Sequence, residues 1–263
     1  LVAVETSKPD FGLALDNDKQ KPWLGLMIGN SRLHWAYCSG NAPLATWVTN
    51  YKPDSTQLPV SLGKVPFILA SVVPEQTEVW QVYQPKILTL KDLPLANLYP
   101  SFGIDRALAA WGAGLTYGFP CLVVDGGTAL TITGFDQDKK LVGGAILPGL
   151  GLQLKTLGDR LAALPKLELG ALTQLSSLPG RWALDTPSAI LSGVTYGVLG
   201  ALQGYLQAWQ AQFPSAVMVI TGGDGRILHA LLGEHSPDLA VALNDNLIFL
   251  GMAAIQHGDR PIC

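Results

Sequence analysis

The sequence predicts an α/β protein whose chain runs through one architecture twice. Two observations carry that expectation. Short apolar strands recur along the chain, end in polar turns containing glycine, and alternate with stretches of helical spacing. Each half also opens alike, with a strand, a turn, a second strand and a third, before helices and further strands follow. The 263 residues have room for two domains of ordinary size, and 48% hydrophobic against 14% charged residues can bury a substantial core.

The first strand is Trp23 to Ile28, which runs into Gly29-Asn30-Ser31. Arg32 to Tyr37 follows with some alternation, so the pair reads as a β-hairpin. Trp47-Val48-Thr49 is a third strand, and Phe67 to Val73 is a buried strand stopped by Pro74. Ile104 to Leu115 has helical spacing behind Gly103. The pattern then restarts with Cys121 to Asp125, the turn Gly126-Gly127-Thr128, a strand Ala129 to Thr133 and another from Leu141 to Ile146. Leu150 to Leu164 and Thr186 to Gln212 read as helices, the second with Gly193, Gly197 and Gly200 on closely packed turns. Ala216 to Ile220 is a buried strand ending in Thr221-Gly222-Gly223-Asp224. The expected division is a mobile extension over 1–22, one domain over 23–117 and a second over 118–263.

Composition narrows the function. A net charge of -3 with no basic face argues against a nucleic-acid partner. Mean hydropathy is high at +0.28, yet no uninterrupted apolar run approaches the ~20 residues of a membrane helix. An apolar excess without a membrane span points to a subunit interface. Cys38, Cys121 and Cys263 form no CxxC pair, which reads as reduced thiols in a cytoplasmic protein rather than a metal site.

The turns carry the chemistry. Gly29-Asn30-Ser31 lets backbone N–H groups approach an anion and adds side-chain donors, or is an ordinary hairpin turn. Asp125-Gly126-Gly127-Thr128 adds a carboxylate at the end of a buried strand. Such a group needs a positive partner, for which a cation is the natural choice; the plainer reading is a turn aspartate satisfied by local N–H groups. Thr221-Gly222-Gly223-Asp224 leaves room for an adenine or ribose against the backbone. Between the first two turns lies Tyr99-Pro100-Ser101-Phe102-Gly103-Ile104-Asp105-Arg106. Asp105 is either a helix cap or a base for an attacking hydroxyl. Arg106 either pairs a surface acid or forks onto a substrate carboxylate.

The three turns, in this order, resemble the actin/Hsp70/sugar-kinase superfamily, which implies two ribonuclease-H-like domains with ATP in the cleft between them. The Gly103-Ile104-Asp105-Arg106 element, with Asp125-Gly126-Gly127-Thr128-Ala129 after it, resembles the type III pantothenate kinase family. Ser71-Val72-Val73-Pro74, Gly143-Gly144-Ala145-Ile146-Leu147-Pro148-Gly149, Ala163-Leu164-Pro165 and Thr186 ahead of Gly193 match further stretches, so the resemblance covers about Leu24 to Met252. It implies ATP-dependent phosphorylation of the primary hydroxyl of pantothenate, the first step of coenzyme A synthesis. It makes Asp105 the general base and gives Tyr99, Gly103, Ile104, Asp105, Arg106 and Thr186 to the substrate. It gives Met27, Ile28, Gly29, Asn30, Ser31, Arg32, Gly127, Thr128, Gly222 and Gly223 to ATP with Mg2+, and Asp125 to a monovalent cation, K+ or NH4+. It also implies a homodimer with the substrate site at the subunit interface. One position departs. The family's first phosphate turn reads D-x-G-N-T, and Met27 stands at the Asp. Methionine is a poor ligand for a hard cation. Magnesium held by phosphates and water alone, a substitute carboxylate, or an inactive relative that binds ligands as an accessory or regulatory protein all remain open at this point.

Overall fold

The computed structural model describes residues 21–51, 65–173 and 178–258. The chain divides into two compact units: one runs up to Thr116 and resumes from Asn246, and the other is Tyr117–Asp245. The expected extension over 1–22 lies outside the described residues except for Lys21 and Pro22.

The first unit is built on a five-stranded sheet. Its strands are β1 (Pro22–Ile28), β2 (Leu33–Ser39), β3 (Ala42–Thr49), β4 (Phe67–Ser71) and β5 (Lys86–Ile87), in the order β3-β2-β1-β4-β5. β1 pairs antiparallel with β2 and parallel with β4, β2 pairs antiparallel with β3, and β4 pairs parallel with β5. Alternation along the strands sorts side chains onto two faces. Leu24, Leu26, Ile28, Leu33, Trp35, Phe67 and Leu69 form a core with Trp80 of helix α1 (Pro74–Trp80). Trp35 stacks on Trp47 and Phe67 at 6.2 Å and meets Trp80 edge-on at 5.1 Å, a set of aromatic contacts that adds specific geometry to the burial.

Helix α2 (Ile104–Tyr117) belongs to the same unit and is buried along most of its length. The expected boundary of the second domain, 118–263, differs from the structure at its far end. The last helix, α7 (Leu247–His257), packs in the first unit. The reason is steric. A Cβ at Gly112 of α2 would overlap the carbonyl oxygen of Leu247, and one at Gly251 of α7 would overlap the carbonyl oxygen of Leu108. Two glycines, one on each helix, let the two backbones touch.

The second unit repeats the sheet. It holds β6 (Cys121–Gly126), β7 (Ala129–Phe135), β8 (Leu141–Pro148), β9 (Val217–Thr221) and β10 (Ala242–Leu243), ordered β10-β9-β6-β7-β8. Strand for strand, both the order and the senses of pairing match those of the first unit. Helices α3 (Leu150–Arg160), α4 (Gly170–Thr173), α5 (Thr186–Gln212) and α6 (Gly225–His235) complete it. Val124, Leu130, Ile132, Leu154, Val198, Leu202, Leu206, Met218, Ile220 and Leu228 lie in one core. Trp209 of α5 covers Gly134, where any side chain would collide with the indole.

α5 has the length and apolar composition of a membrane span, but its residues Ile190, Val194, Val198, Leu199, Leu202, Leu206 and Trp209 pack into this core. The glycines on its other side are not where the sequence put them. Gly193, Gly197 and Gly200, together with Gly204, are exposed, and a Cβ at each would meet no atom within 4 Å. Spacing of small residues marks a close approach only when something lies opposite, and nothing among the described residues does. Cys38 and Cys121 are buried free thiols whose pKa burial pushes up to about 12, so both stay protonated and inert. Cys263 lies outside the described residues.

Candidate active site

In the first unit the 99–106 segment folds into one polar cluster. Phe102 N–H donates to the Tyr99 carbonyl at 2.9 Å, which turns the chain into α2. Asp105 lies in the first turn of the helix, where a carboxylate interacts favourably with the helix dipole. Its Oδ1 accepts the Arg106 backbone N–H at 2.8 Å and lies back over Gly103, where a Cβ would overlap it. That overlap is the physical reason for glycine two residues ahead of this aspartate. Burial pushes the Asp105 carboxyl above the usual carboxylate range, with the Arg106 N–H and charge pulling the other way. A partly desolvated carboxylate of raised basicity suits proton abstraction.

Arg106 is 7% exposed. Its Nη1 donates to the Tyr99 hydroxyl at 3.0 Å, and its guanidinium sits 4.6 Å above the centre of the Phe102 ring. Tyr99 and Phe102 meet edge-on at 5.2 Å. Phe102, Gly103 and Ile104 also line a cavity of about 460 Å³, with Ser71, Thr77 and Leu88 among its other walls.

The Gly29 turn closes the β1–β2 hairpin, with Gly29 N–H donating to the Arg32 carbonyl at 3.1 Å. Asn30, Ser31 and Arg32 are exposed. Met27 (2% exposed) and Ile28 (0%) are buried in the sheet, so what those two can present at the turn is backbone. The Tyr51 hydroxyl donates to the Gly29 carbonyl and pins the turn from outside the motif.

In the second unit two turns that are far apart in sequence are in contact. Asp125, the last residue but one of β6, lies opposite Thr131 and Thr221. Its Oδ1 and the Gly126 carbonyl occupy the space that a Cβ of Gly222 would need, and Gly222 has φ +90°, which favours glycine. Asp224 N–H donates to the Gly126 carbonyl at 2.8 Å. Gly149 N–H donates to the Thr128 carbonyl at 2.9 Å and leaves no room for a side chain beside Gly127. Asp125, Gly126, Gly127, Gly222 and Asp224 therefore form one assembly. Gly223 is exposed beside it. Thr186 is the exposed first residue of α5, whose N-cap Asp185 accepts the Ser188 N–H at 2.9 Å.

The type III pantothenate kinase family matches this chain over residues 23–208. A type III pantothenate kinase of Synechocystis sp. is 84% identical over 99% of this chain and 100% of its own length. The chain belongs to the type III pantothenate kinase family. Solved structures add the fold. A Baf family protein from Campylobacter jejuni superposes with a TM-score of 0.58 at 22% identity, covering 88% of this chain and 96% of its own. The activator of the 2-hydroxyisocaproyl-CoA dehydratase from Clostridium difficile, with bound ADPNP, gives 0.54 at 11% identity, covering 90% and 94%. The fold is that of the actin/Hsp70/sugar-kinase class, and the family is one of kinases.

Sequence reasoning missed three residues of this pantothenate kinase family member that bear on the site. Phe102 supports Arg106, and the Tyr99–Phe102 spacing was the available signal. Tyr51 lies 22 residues from the glycine it holds, and nothing in the chain between them marks the contact. His34 faces the first turn from β2, and its place follows only from the strand register.

Proposed function

We propose that this protein transfers the γ-phosphoryl group of ATP to the primary hydroxyl of pantothenate, giving 4'-phosphopantothenate in the first step of coenzyme A synthesis. The observation that carries the reading is the Asp105 carboxylate lying over Gly103, next to a buried Arg106 held by Tyr99 and Phe102. Asp105 takes the hydroxyl proton as the new O–P bond forms and the bond to the ADP leaving group breaks. Arg106 offers its planar fork to the substrate carboxylate, and Tyr99, Gly103 and Ile104 serve the same substrate. Thr186 serves the substrate from α5. Phosphoryl transfer asks chiefly for positioning and charge neutralisation. The backbone of the Gly29–Arg32 turn, with Gly127 and Thr128, serves the phosphates, and Gly222 and Gly223 serve the adenosine.

The donor sets fit the implied ions. The Asp125 carboxylate and Gly126 carbonyl converge at Gly222, and hard oxygens of this kind suit K+ or NH4+. Among the described residues no group of three or more His, Cys, Asp or Glu side chains is placed to hold a metal. In this proposal Mg2+ is carried largely by phosphate oxygens and water, its usual habit in kinases. Such an ion supplies charge neutralisation at the transferring group.

A homodimer and residence in the cytoplasm belong to the same proposal. The dimer is supported by the open glycine side of α5 and by Trp182 and Leu184, exposed at 90% and 103%, just ahead of Thr186. Apolar surface of that kind is expected to be covered. A second reading, a weakened or inactive relative that binds ligands as an accessory protein, is favoured by one observation, the apolar Met27 at the phosphate turn. A coupled assay with ATP, Mg2+, K+ and pantothenate decides between them. The expected result is turnover that falls at least about 10²-fold in Asp105→Asn; ligand binding by calorimetry without turnover supports the second reading.

A further inference from the structure

Helix α2 begins in one unit and ends in the other. Its first turn carries Asp105 and Arg106, and its last residue, Tyr117, is the first of the second unit. The chain passes between the units there and once more, at Asp245–Asn246 just ahead of α7. The two passages are tied together in the second unit, where Asn244 Nδ2 donates to the Tyr117 hydroxyl at 3.2 Å across 127 positions of sequence. The dipeptide Asn244-Asp245 also holds both flanks of the Thr221–Asp224 turn. β10 lies beside β9 with Leu243 opposite Ile220, and the Asn244 backbone N–H donates to the Ile220 carbonyl at 3.0 Å. Asp245 pairs with Arg226 in the first turn of α6. Arg226 is exposed, so that ion pair contributes little by itself, and the Asn244 bonds are the firmer link. One dipeptide thus joins a nucleotide turn, both chain passages and the far end of the helix that carries Asp105.

We propose that Asn244 is a positioning residue: its bond to Tyr117 couples a nucleotide on the Gly222–Gly223 turn to the setting of α2, and so to Asp105 and Arg106 at the other end. This deepens the kinase reading given above and rests on it. α2 has 14 residues, a length of about 20 Å at about 1.5 Å per residue, and is buried along most of it. A close-packed helix shifts as a unit, because its neighbours leave it little room to bend. Gly118 follows Tyr117 with φ +96°, and a Cβ there would meet nothing within 4 Å. The backbone beyond the helix is therefore the pliant kind, and the Tyr117 hydroxyl gives the helix end a definite tie. A single hydrogen bond shifts an equilibrium about fivefold, which lies within the usual range of coupling between two sites.

The test uses the full-length protein with Mg2+ and K+. Calorimetry measures pantothenate binding with and without AMPPNP, and AMPPNP binding with and without pantothenate; the coupled assay gives kcat. The variants are Tyr117→Phe, which removes only the accepting oxygen, Asn244→Ala, and the two combined. In wild type each ligand is expected to tighten the other by the same factor, at least about fivefold. In either single variant that factor should fall to within about twofold of unity, and kcat should drop about fivefold. The affinity of each ligand alone should stay within about twofold of wild type. The combined variant should match the single ones, since the same contact is lost in all three. A merely structural bond would weaken both ligands alone and leave the factor unchanged, and that pattern overturns the proposal. A wild type that turns over pantothenate with no coupling between its ligands overturns it too, and leaves the kinase reading standing. A wild type that neither binds ATP nor turns over overturns the kinase reading, and this inference with it.

Discussion

Gly103→Ala separates the role of Asp105 from the stability of the fold. The added methyl would overlap Oδ1 of Asp105 and lie 3.5 Å from its Cγ and 3.7 Å from Cδ of Arg106. The obstacle is the free end of a short side chain, not backbone. Relief requires the carboxylate oxygen to swing away by about 1 Å, the scale on which van der Waals overlap is cleared. In doing so it gives up its 2.8 Å bond from the Arg106 N–H. Gly103 is not among the glycines with positive φ, so alanine fits the backbone, and the smaller entropy of the unfolded chain offsets part of the lost contact by about 0.4–1 kcal/mol. Net stability is then expected to move by less than about 1 kcal/mol. Catalysis is far less tolerant, since a displacement of about 1 Å of a reacting group can lower the rate on the order of 10²-fold. The expected outcome is a kcat reduced about 10²-fold, an ATP KM near that of wild type and an unshifted thermal unfolding transition. The coupled pantothenate assay and differential scanning calorimetry measure these quantities. A kcat within about threefold of wild type would refute the argument, because it would show that the carboxylate does not need the position that glycine gives it.

Asp105→Asn should be more stable than wild type at neutral pH, since it removes a partly buried charge. A carboxyl with a raised folded-state pKa contributes stability below its unfolded pKa and loses it as pH rises through the folded value. The advantage of the variant should therefore shrink as the pH is lowered towards the ordinary aspartate range, which urea unfolding at several pH values will show. Tyr51→Phe removes the donor that holds the Gly29 carbonyl. Losing about 1 kcal/mol of turn ordering should raise the ATP KM about fivefold and leave the pantothenate KM unchanged. Gly251→Ala drives a methyl into the Leu108 carbonyl. Two helix backbones must separate to admit it, so unfolding free energy should fall by about 1–3 kcal/mol, read as a lower Tm.

Strands and turns were the legible part. Cys121–Gly126 and Val217–Thr221 are buried runs ended by glycine turns, and Thr186–Gln212 starts and stops where its spacing said. β5 and β10 have two residues each, too few for any periodicity. The site was legible as a set of motifs but not as contacts. Nothing local announces that Asp125 lies against Gly222, because that pairing follows from the parallel register of β6 and β9. The glycines of α5 show the converse failure. Their spacing is real, but spacing does not say whether the opposing surface belongs to this chain.

The return of α7 to the first unit sets an order of events at the ribosome. Synthesis delivers domains from the N-terminus, and each usually folds as it emerges. Here the 130 or so residues that follow Thr116 must be made before α7 exists, so the buried flank of α2 waits uncovered while the second unit forms. The Gly112–Gly251 contact joins residues 139 positions apart, and closure over such a distance is slow. The first unit is thus begun first and completed last. A chaperone that shields α2 during that interval would act on the nascent chain without ever meeting the finished protein.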